Sequence, residues 1–174
     1  MVNAFDATTG KLKWSREAHK GLPVGGRHRK NTFASETPAT DGERLYVYFG
    51  NVGLFAYALD GKPLWDVRFE PQPMYLDFGT AASPVVADGR VFVVHDNDGK
   101  SFAAAIDAKS GKQLWKVDRD LPSRGMKSGW STPFVWKHDG RTELIVIGKT
   151  YAVSYEPQSG RELWRLGGLT GQST

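Results

Sequence analysis

Short apolar runs alternate with glycine-containing turns along the chain. Three of these runs, at residues 45–49, 91–94 and 144–147, each follow an Asp-Gly pair. Because glycine tolerates the positive φ that tight hairpin turns need, Asp-Gly between apolar runs is a strong hairpin signal. No ten-residue window keeps apolar residues at three-and-four spacing without Gly or Pro, so long amphipathic helices are not predicted. The pattern therefore predicts an all-β fold built from hairpins.

Tryptophan recurs at a nearly constant period. Trp14, Trp65, Trp115 and Trp164 are separated by 51, 50 and 49 residues, and a glycine lies four positions before each of them. An acidic residue lies eight positions before the Trp in three segments and five positions before it in the second, which predicts a turn three residues shorter there. The acidic residues are Asp6, Asp60, Asp107 and Glu156, and the glycines are Gly10, Gly61, Gly111 and Gly160.

A second marker runs in phase with the tryptophans, because a Ser/Thr-Pro pair precedes each Asp-Gly turn. One repeat then contains four strands, A to D, with the Asp-Gly turn between A and B and the tryptophan on D. Four short strands in about 50 residues are typical of a β-propeller blade. The pairs are Thr37-Pro38, Ser83-Pro84 and Thr132-Pro133.

The period also suggests what the tryptophans do. A four-stranded sheet has two faces to cover, and neighbouring sheets can cover them. One indole buries roughly 150–250 Å², which at about 25 cal/mol/Å² amounts to about 4–6 kcal/mol as an upper bound. We therefore predict that the four tryptophans, with their glycines, pack each blade against the next. The acidic residues recur in every repeat, which favours turn capping over catalysis.

Residues 4–14 and 105–115 share the pattern Ala-x-Asp-x-x-x-Gly-Lys-x-x-Trp. This pattern resembles the tryptophan-docking motif of the pyrroloquinoline-quinone-like (PQQ-like) repeat family. The family includes the quinoprotein alcohol dehydrogenases and the lipoprotein scaffold of the outer-membrane β-barrel assembly machinery. The resemblance covers the chain from Val2 to about Arg165. It implies a β-propeller, commonly eight-bladed, in an exported or periplasmic bacterial protein, although no signal peptide is visible here.

The repeats define an expected organisation. We expect residues 1–174 to form a single propeller fragment, with a partial blade at 2–17 and full blades at 31–66, 79–117 and 128–166. A closed ring hides the faces of its sheets, whereas an arc leaves both terminal faces exposed. The remaining blades are therefore expected from a longer chain or from a second copy.

The composition removes several classes of chemistry. The chain contains no cysteine, which excludes disulfides, zinc–thiolate sites, iron–sulfur clusters and cysteine nucleophiles. No apolar run approaches the roughly 20 residues of a membrane-spanning helix. The formal net charge of +4 is mild and does not indicate nucleic-acid binding. The four histidines lie far apart, and no catalytic or metal-ligating set is predicted.

Residues 96–99, Asp-Asn-Asp-Gly, resemble part of a calcium loop. When Gly99 takes the glycine position of an EF-hand, Val94 and Ala105 fall at the first and twelfth ligand positions, and neither can coordinate. We interpret the segment as the turn between strands B and C, and a loose calcium site on this loop stays open as an alternative.

The connection between Trp14 and Pro38 is the longest of its kind, at 24 positions against 19 and 18 in the next two repeats. Its extra length carries Arg27, His28, Arg29 and Lys30. Because loops on a rigid scaffold often carry function, this basic cluster could bind an acidic protein surface, a phosphate or another anionic ligand. The alternative is a solvated loop.

Trp130 lies outside the periodic tryptophan series. The blade-packing argument therefore does not explain it. This indole could line a ligand site that faces the central channel, or it could simply pack beneath its loop.

Two functions are compatible with the sequence. The first is a non-catalytic propeller that binds proteins or scaffolds an assembly through its D-to-A loops. The second is a fragment of a PQQ-dependent alcohol or sugar dehydrogenase. As the resemblance implies, such enzymes hold the quinone over a tryptophan and coordinate calcium with Glu, Asn and Asp. Because no calcium set is identifiable, we favour the first function and predict no cofactor, with PQQ and calcium expected only under the second.

Overall fold

The structure is a computed structural model that describes residues 1–119 and 125–169. The described residues form fourteen β-strands and one 3-10 turn at Tyr75–Asp77. The first seven strands are β1 (Val2–Phe5), β2 (Leu12–Arg16), β3 (Ala39–Thr40), β4 (Arg44–Phe49), β5 (Gly53–Ala58), β6 (Pro63–Arg68) and β7 (Val85–Ala87). The others are β8 (Arg90–His95), β9 (Phe102–Asp107), β10 (Gln113–Asp118), β11 (Phe134–His138), β12 (Arg141–Ile147), β13 (Tyr151–Tyr155) and β14 (Glu162–Gly167).

The strands form four antiparallel sheets, which we call blades 1 to 4. Blade 1 contains β1 and β2, and the other three contain β3–β6, β7–β10 and β11–β14, paired in sequence order. The all-β partial propeller with four-stranded antiparallel blades that the sequence predicts is therefore confirmed. No helix in the described ranges is long and apolar enough to cross a membrane.

The A–B hairpins follow from their turn residues. In blade 3, Asp88 and Gly89 have φ values of 47° and 73°, and in blade 4, Asp139 and Gly140 have 45° and 72°. Positive φ at both central residues is the geometry of the hairpin turns that Asp-Gly favours. These turns bring each strand A back against strand B of the same blade.

The Ser/Thr-Pro pairs connect neighbouring blades through their innermost strands. The amide of Thr37 donates to Oγ of Ser83 at 2.8 Å, and the amide of Ser83 donates to Oγ1 of Thr132 at 3.0 Å. Each hydroxyl thus accepts from the equivalent residue of the preceding blade. These two hydrogen bonds link the starts of the A strands of blades 2, 3 and 4.

The apolar core consists of layers between the blades. Val2 of blade 1 packs with Val47 and Phe55 of blade 2. The layer between blades 2 and 3 contains residues such as Tyr46, Leu54, Val91 and Ile106. The layer between blades 3 and 4 contains residues such as Phe92, Trp115, Leu144 and Val153. Stability therefore comes from faces that only a neighbouring blade can cover.

Candidate functional site

The first three tryptophans of the series each lie against the C–D turn of the following blade. Each indole Nε1 donates to a backbone carbonyl of that turn, at 2.9, 3.3 and 2.9 Å in chain order. The turn glycine faces the indole so closely that an added Cβ would lie 2.6, 2.7 and 2.7 Å from the ring. The pairs are Trp14 with Gly61 and the Leu59 carbonyl, Trp65 with Gly111 and the Ala108 carbonyl, and Trp115 with Gly160 and the Pro157 carbonyl.

The close approach gives a prediction for Gly111→Ala. Its φ of +74° is strained for alanine, and the new Cβ would press into the indole of Trp65. We expect a loss of about 2–4 kcal/mol in the free energy of unfolding, from backbone strain plus overpacking. Gly89→Ala is the matched control, because its φ is +73° and nothing lies within 4 Å of its Cβ position. Urea unfolding should show the larger loss for Gly111→Ala, and equal losses would contradict the close packing.

Trp164 differs from the other three tryptophans. It lies on the outer face of blade 4, and the described residues place no sheet beyond that face. Its Nε1 donates within its own blade, to Oε2 of Glu143 at 2.7 Å. Hydrogen bonds from Ser154, Trp164 and His138 lower the pKa of that carboxyl below its usual value. Packing of Trp164 against a following blade therefore stays a prediction.

Three of the recurring acidic residues bond within their own C–D turns. Asp6 accepts from the amide and hydroxyl of Thr9, both at 2.8 Å, and these hydrogen bonds lower its pKa. Asp107 accepts from the hydroxyl and amide of Ser110, with the same effect on its pKa. The Glu156 pKa is lowered by hydrogen bonds from Ser159 and Arg161. Asp107 and Glu156 therefore hold the turns that Trp65 and Trp115 contact.

The C–D turn of the second repeat is longer than the sequence predicted from its acidic residue. Trp65 pairs with Ala56 as Trp115 pairs with Ala105. By this register, Ala58 stands where the third repeat has Asp107, and the turn is one residue shorter, not three. Asp60 lies within the turn, and its Oδ1 accepts from the amide of Lys62 at 2.9 Å. The interpretation failed because it aligned the acidic residues, whereas pairing along the strands sets the turn length.

The D-to-A connections and the B–C turns meet at one end of the blades, which we call the loop end. The Asn51 side chain of a B–C turn exchanges two hydrogen bonds with the backbone of Gln72 in a D-to-A connection. The amide of Asp98 likewise donates to the Pro73 carbonyl at 2.9 Å. Loops from different blades therefore support one another at this end.

The predicted basic cluster lies at the loop end. Arg27 donates to the Asn31 carbonyl at 2.9 Å, and its guanidinium carbon lies 5.6 Å from the ring centroid of Phe33. Arg29 and Lys30 have exposed side chains. This arrangement fixes Arg27 and leaves two cationic groups in solvent beside it.

The other two predicted loop residues are linked through Phe78. The His28 ring contacts the edge of Phe78, with centroids 5.0 Å apart, and the Phe78 ring lies 6.2 Å from that of Trp130. The Trp130 indole donates to the Gly79 carbonyl at 2.7 Å and is partly buried. Three successive D-to-A connections thus present a continuous row of rings, and a ligand role for Trp130 stays a prediction.

A cavity of about 280 Å³ adjoins this cluster. Its wall is mostly apolar, and it includes Ala18, Val24, Phe33, Phe49, His19 and Thr80. The buried Glu36 supports the wall, because its Oε1 accepts from the Gly50 amide at 3.1 Å and from the Thr80 hydroxyl at 2.6 Å. Sequence reasoning missed Glu36, since its partners lie 14 and 44 positions away and it occurs in no repeat.

A buried ion pair fastens the B–C turn of blade 3. The guanidinium of Arg119 donates to both carboxylate oxygens of Asp96, at 2.7 and 2.9 Å, and to the Tyr155 hydroxyl at 2.7 Å. Burial opposes the charge of Arg119, but Asp96 outweighs it and raises the Arg119 pKa. The second carboxylate of this turn, Asp98, accepts from the amide and the hydroxyl of Ser128.

These contacts test the calcium alternative for residues 96–99. The Asp96 carboxylate is committed to a guanidinium, and the Asp98 carboxylate to protein donors. Residues 1–119 and 125–169 contain no group of three or more His, Asp or Glu side chains arranged to hold a metal ion. The Asp96 and Asp98 side chains are therefore held by protein donors and do not offer a free carboxylate pair to calcium.

Comparison with known proteins relates the chain to an outer-membrane assembly factor family and to quinone-dependent dehydrogenases. A family model described as "Outer membrane protein assembly factor BamB" matches residues 1–172. The chain is 29% identical over 133 residues to a polyvinylalcohol dehydrogenase from Pseudomonas sp, a match that covers 67% of this chain and 19% of that protein. It is 31% identical over 128 residues to the dehydrogenase subunit of a quinone alcohol dehydrogenase from Komagataeibacter europaeus, covering 67% and 17%.

A solved structure shows the same fold. BamB from Moraxella catarrhalis superposes with a TM-score of 0.60 at 17% identity, over 98% of this chain and 44% of that one. At this identity the likeness concerns the fold alone. The chain spans less than a fifth of the length of the curated relatives it matches.

Proposed function

Because the chain belongs to the PQQ-like repeat family, whose model matches residues 1–172, we propose that it is a non-catalytic β-propeller module that binds or scaffolds another protein. The binding surface is the loop end, where the D-to-A connections converge. Family membership also supports a periplasmic or exported location, since the quinoprotein dehydrogenases and the assembly factor are exported proteins.

The observation that carries this proposal is the pairing of a cavity with cationic groups. The apolar cavity of about 280 Å³ could take one large side chain of a partner. Arg29 and Lys30 stand exposed nearby, and Arg27 is held over Phe33, which itself lines the cavity. An acidic segment with an apolar anchor matches this combination, because the charges steer the encounter and the buried side chain supplies affinity.

Neutralising the cluster tests the proposal. We expect the triple variant Arg27→Gln, Arg29→Gln, Lys30→Gln to weaken binding of a fluorescein-labelled peptide, in which glutamates flank a central phenylalanine, by about tenfold or more. The loss should shrink as salt is added, because screening removes the attraction that the variant removes. Fluorescence anisotropy of the full chain measures both effects.

A matched control carries the same charge change at the opposite end of the blades. Lys11, Lys62 and Lys112 are exposed residues of the C–D turns, and changing all three to Gln should leave peptide binding unchanged. Equal losses in the two triple variants, or none in either, would contradict binding at the loop end.

The second candidate is a fragment of a PQQ-dependent alcohol or sugar dehydrogenase. It is favoured by the curated relatives, since the matches at 29% and 31% identity are dehydrogenases. Titrating PQQ and calcium into the protein distinguishes the two functions. A bound-quinone absorbance with dye-reducing activity supports the enzyme, whereas the scaffold requires neither.

A further inference from the structure

His95 is a buried histidine at the end of strand B of blade 3. Its side chain is 2% exposed, and within the described residues neither ring nitrogen has a hydrogen-bond partner. Buried polar side-chain atoms in folded proteins mostly have such a partner, so this exception calls for an explanation. The His95 ring is therefore held by packing and not by hydrogen bonds.

The ring lies in the apolar layer between blades 2 and 3. Side chains alternate between the two faces of a strand, and Val91 and Val93 of the same strand face this layer. His95 therefore faces it as well. Its ring meets that of Phe102 edge to face, with centroids 5.7 Å apart, and Phe102 contacts Phe69 at 5.2 Å. Such surroundings favour the neutral imidazole, because a buried charge without a partner is costly.

The charged groups of blade 3 do not offset a charge on His95. Within the described residues, the ionised side chain whose field acts on the ring is Lys116, which is itself a cation. The carboxylate of Asp96, the next residue along the chain, is bound through both oxygens by Arg119. Burial, and to a smaller extent Lys116, lowers the pKa of His95 from 6.5 to about 4.

Blade 2 and the connection before it contribute two titratable groups. Tyr48 packs within the layer, and its hydroxyl is buried without a partner. Burial and the charge of Glu36 raise the pKa of Tyr48, so this hydroxyl stays neutral. The Glu36 carboxylate accepts from the Thr80 hydroxyl at 2.6 Å. Among the described residues, no ion pair joins either group to His95.

His95 also leads directly into the B–C turn of blade 3, which is bound to blade 2 at the loop end. The His95 carbonyl accepts from Nδ2 of Asn97 at 2.8 Å. The Lys100 amide donates to Oε1 of Gln72 at 3.0 Å, and the Asp98 amide donates to the carbonyl of the proline after Gln72. Movement of His95 out of the layer would therefore disturb this turn and the D-to-A connection that it holds.

We propose that protonation of His95 opens the contact between blades 2 and 3 at the loop end and releases the B–C turn, residues 96–101, from the D-to-A connection of blade 2. The neutral ring packs in the layer, whereas the cationic ring must leave it to reach water. This inference goes beyond the proposed function and does not depend on it.

The direction of the pH dependence follows from the lowered pKa. Because the closed form holds the His95 pKa at about 4, the open form binds the proton more tightly. The closed form is therefore fully favoured above about pH 6.5, and its advantage falls as the pH drops toward about 4.

Hydrogen–deuterium exchange of the full chain tests the proposal. We expect the opening constants of the Asn97, Asp98 and Lys100 amides to rise by up to about tenfold per pH unit from about pH 6.5 to about pH 4, after correction for intrinsic exchange, because opening takes up one proton. His95→Phe and His95→Leu cannot take up this proton, so their opening constants should stay nearly constant over the same range.

Two further measurements make the test specific. His19→Gln is the matched control, since His19 is exposed, and it should keep the pH dependence of the wild type. An NMR titration of the wild-type imidazoles should give His95 a midpoint near 4. A His95 midpoint at or above 6.5 would overturn the proposal. The same pH dependence of exchange at residues 96–101 in the wild type and both His95 variants would overturn it as well.

Discussion

Replacing Trp115 with alanine is expected to lower the free energy of unfolding by about 3–5 kcal/mol. The indole is almost fully buried, packs beside Phe92 at a centroid distance of 6.0 Å and donates to the Pro157 carbonyl. Its removal leaves a cavity between blades 3 and 4 and an unpaired carbonyl in the facing turn. Urea unfolding followed by circular dichroism measures the loss.

Trp164→Ala is the matched control for this experiment. The residue type and the strand position are the same, but Trp164 contacts no following blade in the described part of the chain. We expect a smaller loss in the free energy of unfolding, of about 1.5–3 kcal/mol, the size of one hydrogen bond to a charged group. If Trp115→Ala and Trp164→Ala lower the free energy of unfolding equally, the stabilising effect of the tryptophan does not depend on contact with the next blade.

Replacing Arg119 with methionine is expected to cost about 3–5 kcal/mol, because it leaves a buried carboxylate without its partner. Arg119 and Asp96 are each 2% exposed, so water cannot replace the lost contacts. The Tyr155 hydroxyl loses its donor as well. Urea unfolding should place this variant among the least stable single substitutions.

Two comparisons isolate the effect of the stranded carboxylate. The double variant Asp96→Asn, Arg119→Met removes both charges and should be more stable than Arg119→Met alone. Lys137→Met breaks an exposed ion pair with Asp88 and should leave stability unchanged within error. A double variant no more stable than the single one would show that the guanidinium's packing, and not its charge, matters.

The repetitive part of the fold could be predicted from the sequence. Asp-Gly at 88–89 and 139–140 produces positive φ at both positions in the structure, because this turn geometry depends on two residues alone. The spacing of the tryptophans predicts the spacing of the blades for a related reason. Each of the first three indoles contacts a glycine and a carbonyl, so the motif is visible without any knowledge of the rest of the blade.

The features that occur once could not be predicted. The partners of Arg119 lie 23 and 36 positions away in two different repeats, and no local pattern links them. Nothing in the sequence near Glu36 indicates its hydrogen bond from the Thr80 hydroxyl, because the two residues are 44 positions apart. Trp164 shows that a matching motif does not by itself predict a contact. Its segment matches the others, but the Trp164 indole donates to Glu143 of its own blade.

A double-mutant cycle between Trp115 and Gly160 measures whether the indole of one blade packs on the turn glycine of the next blade, as the structure shows for Trp14, Trp65 and Trp115. Gly160→Ala would place a Cβ 2.7 Å from the Trp115 ring. We predict that Gly160→Ala lowers the free energy of unfolding clearly more in the wild type than in Trp115→Ala, with a coupling of about 1–3 kcal/mol. If the two substitutions are additive in urea unfolding, the indole and the glycine do not touch, and the packing scheme is wrong.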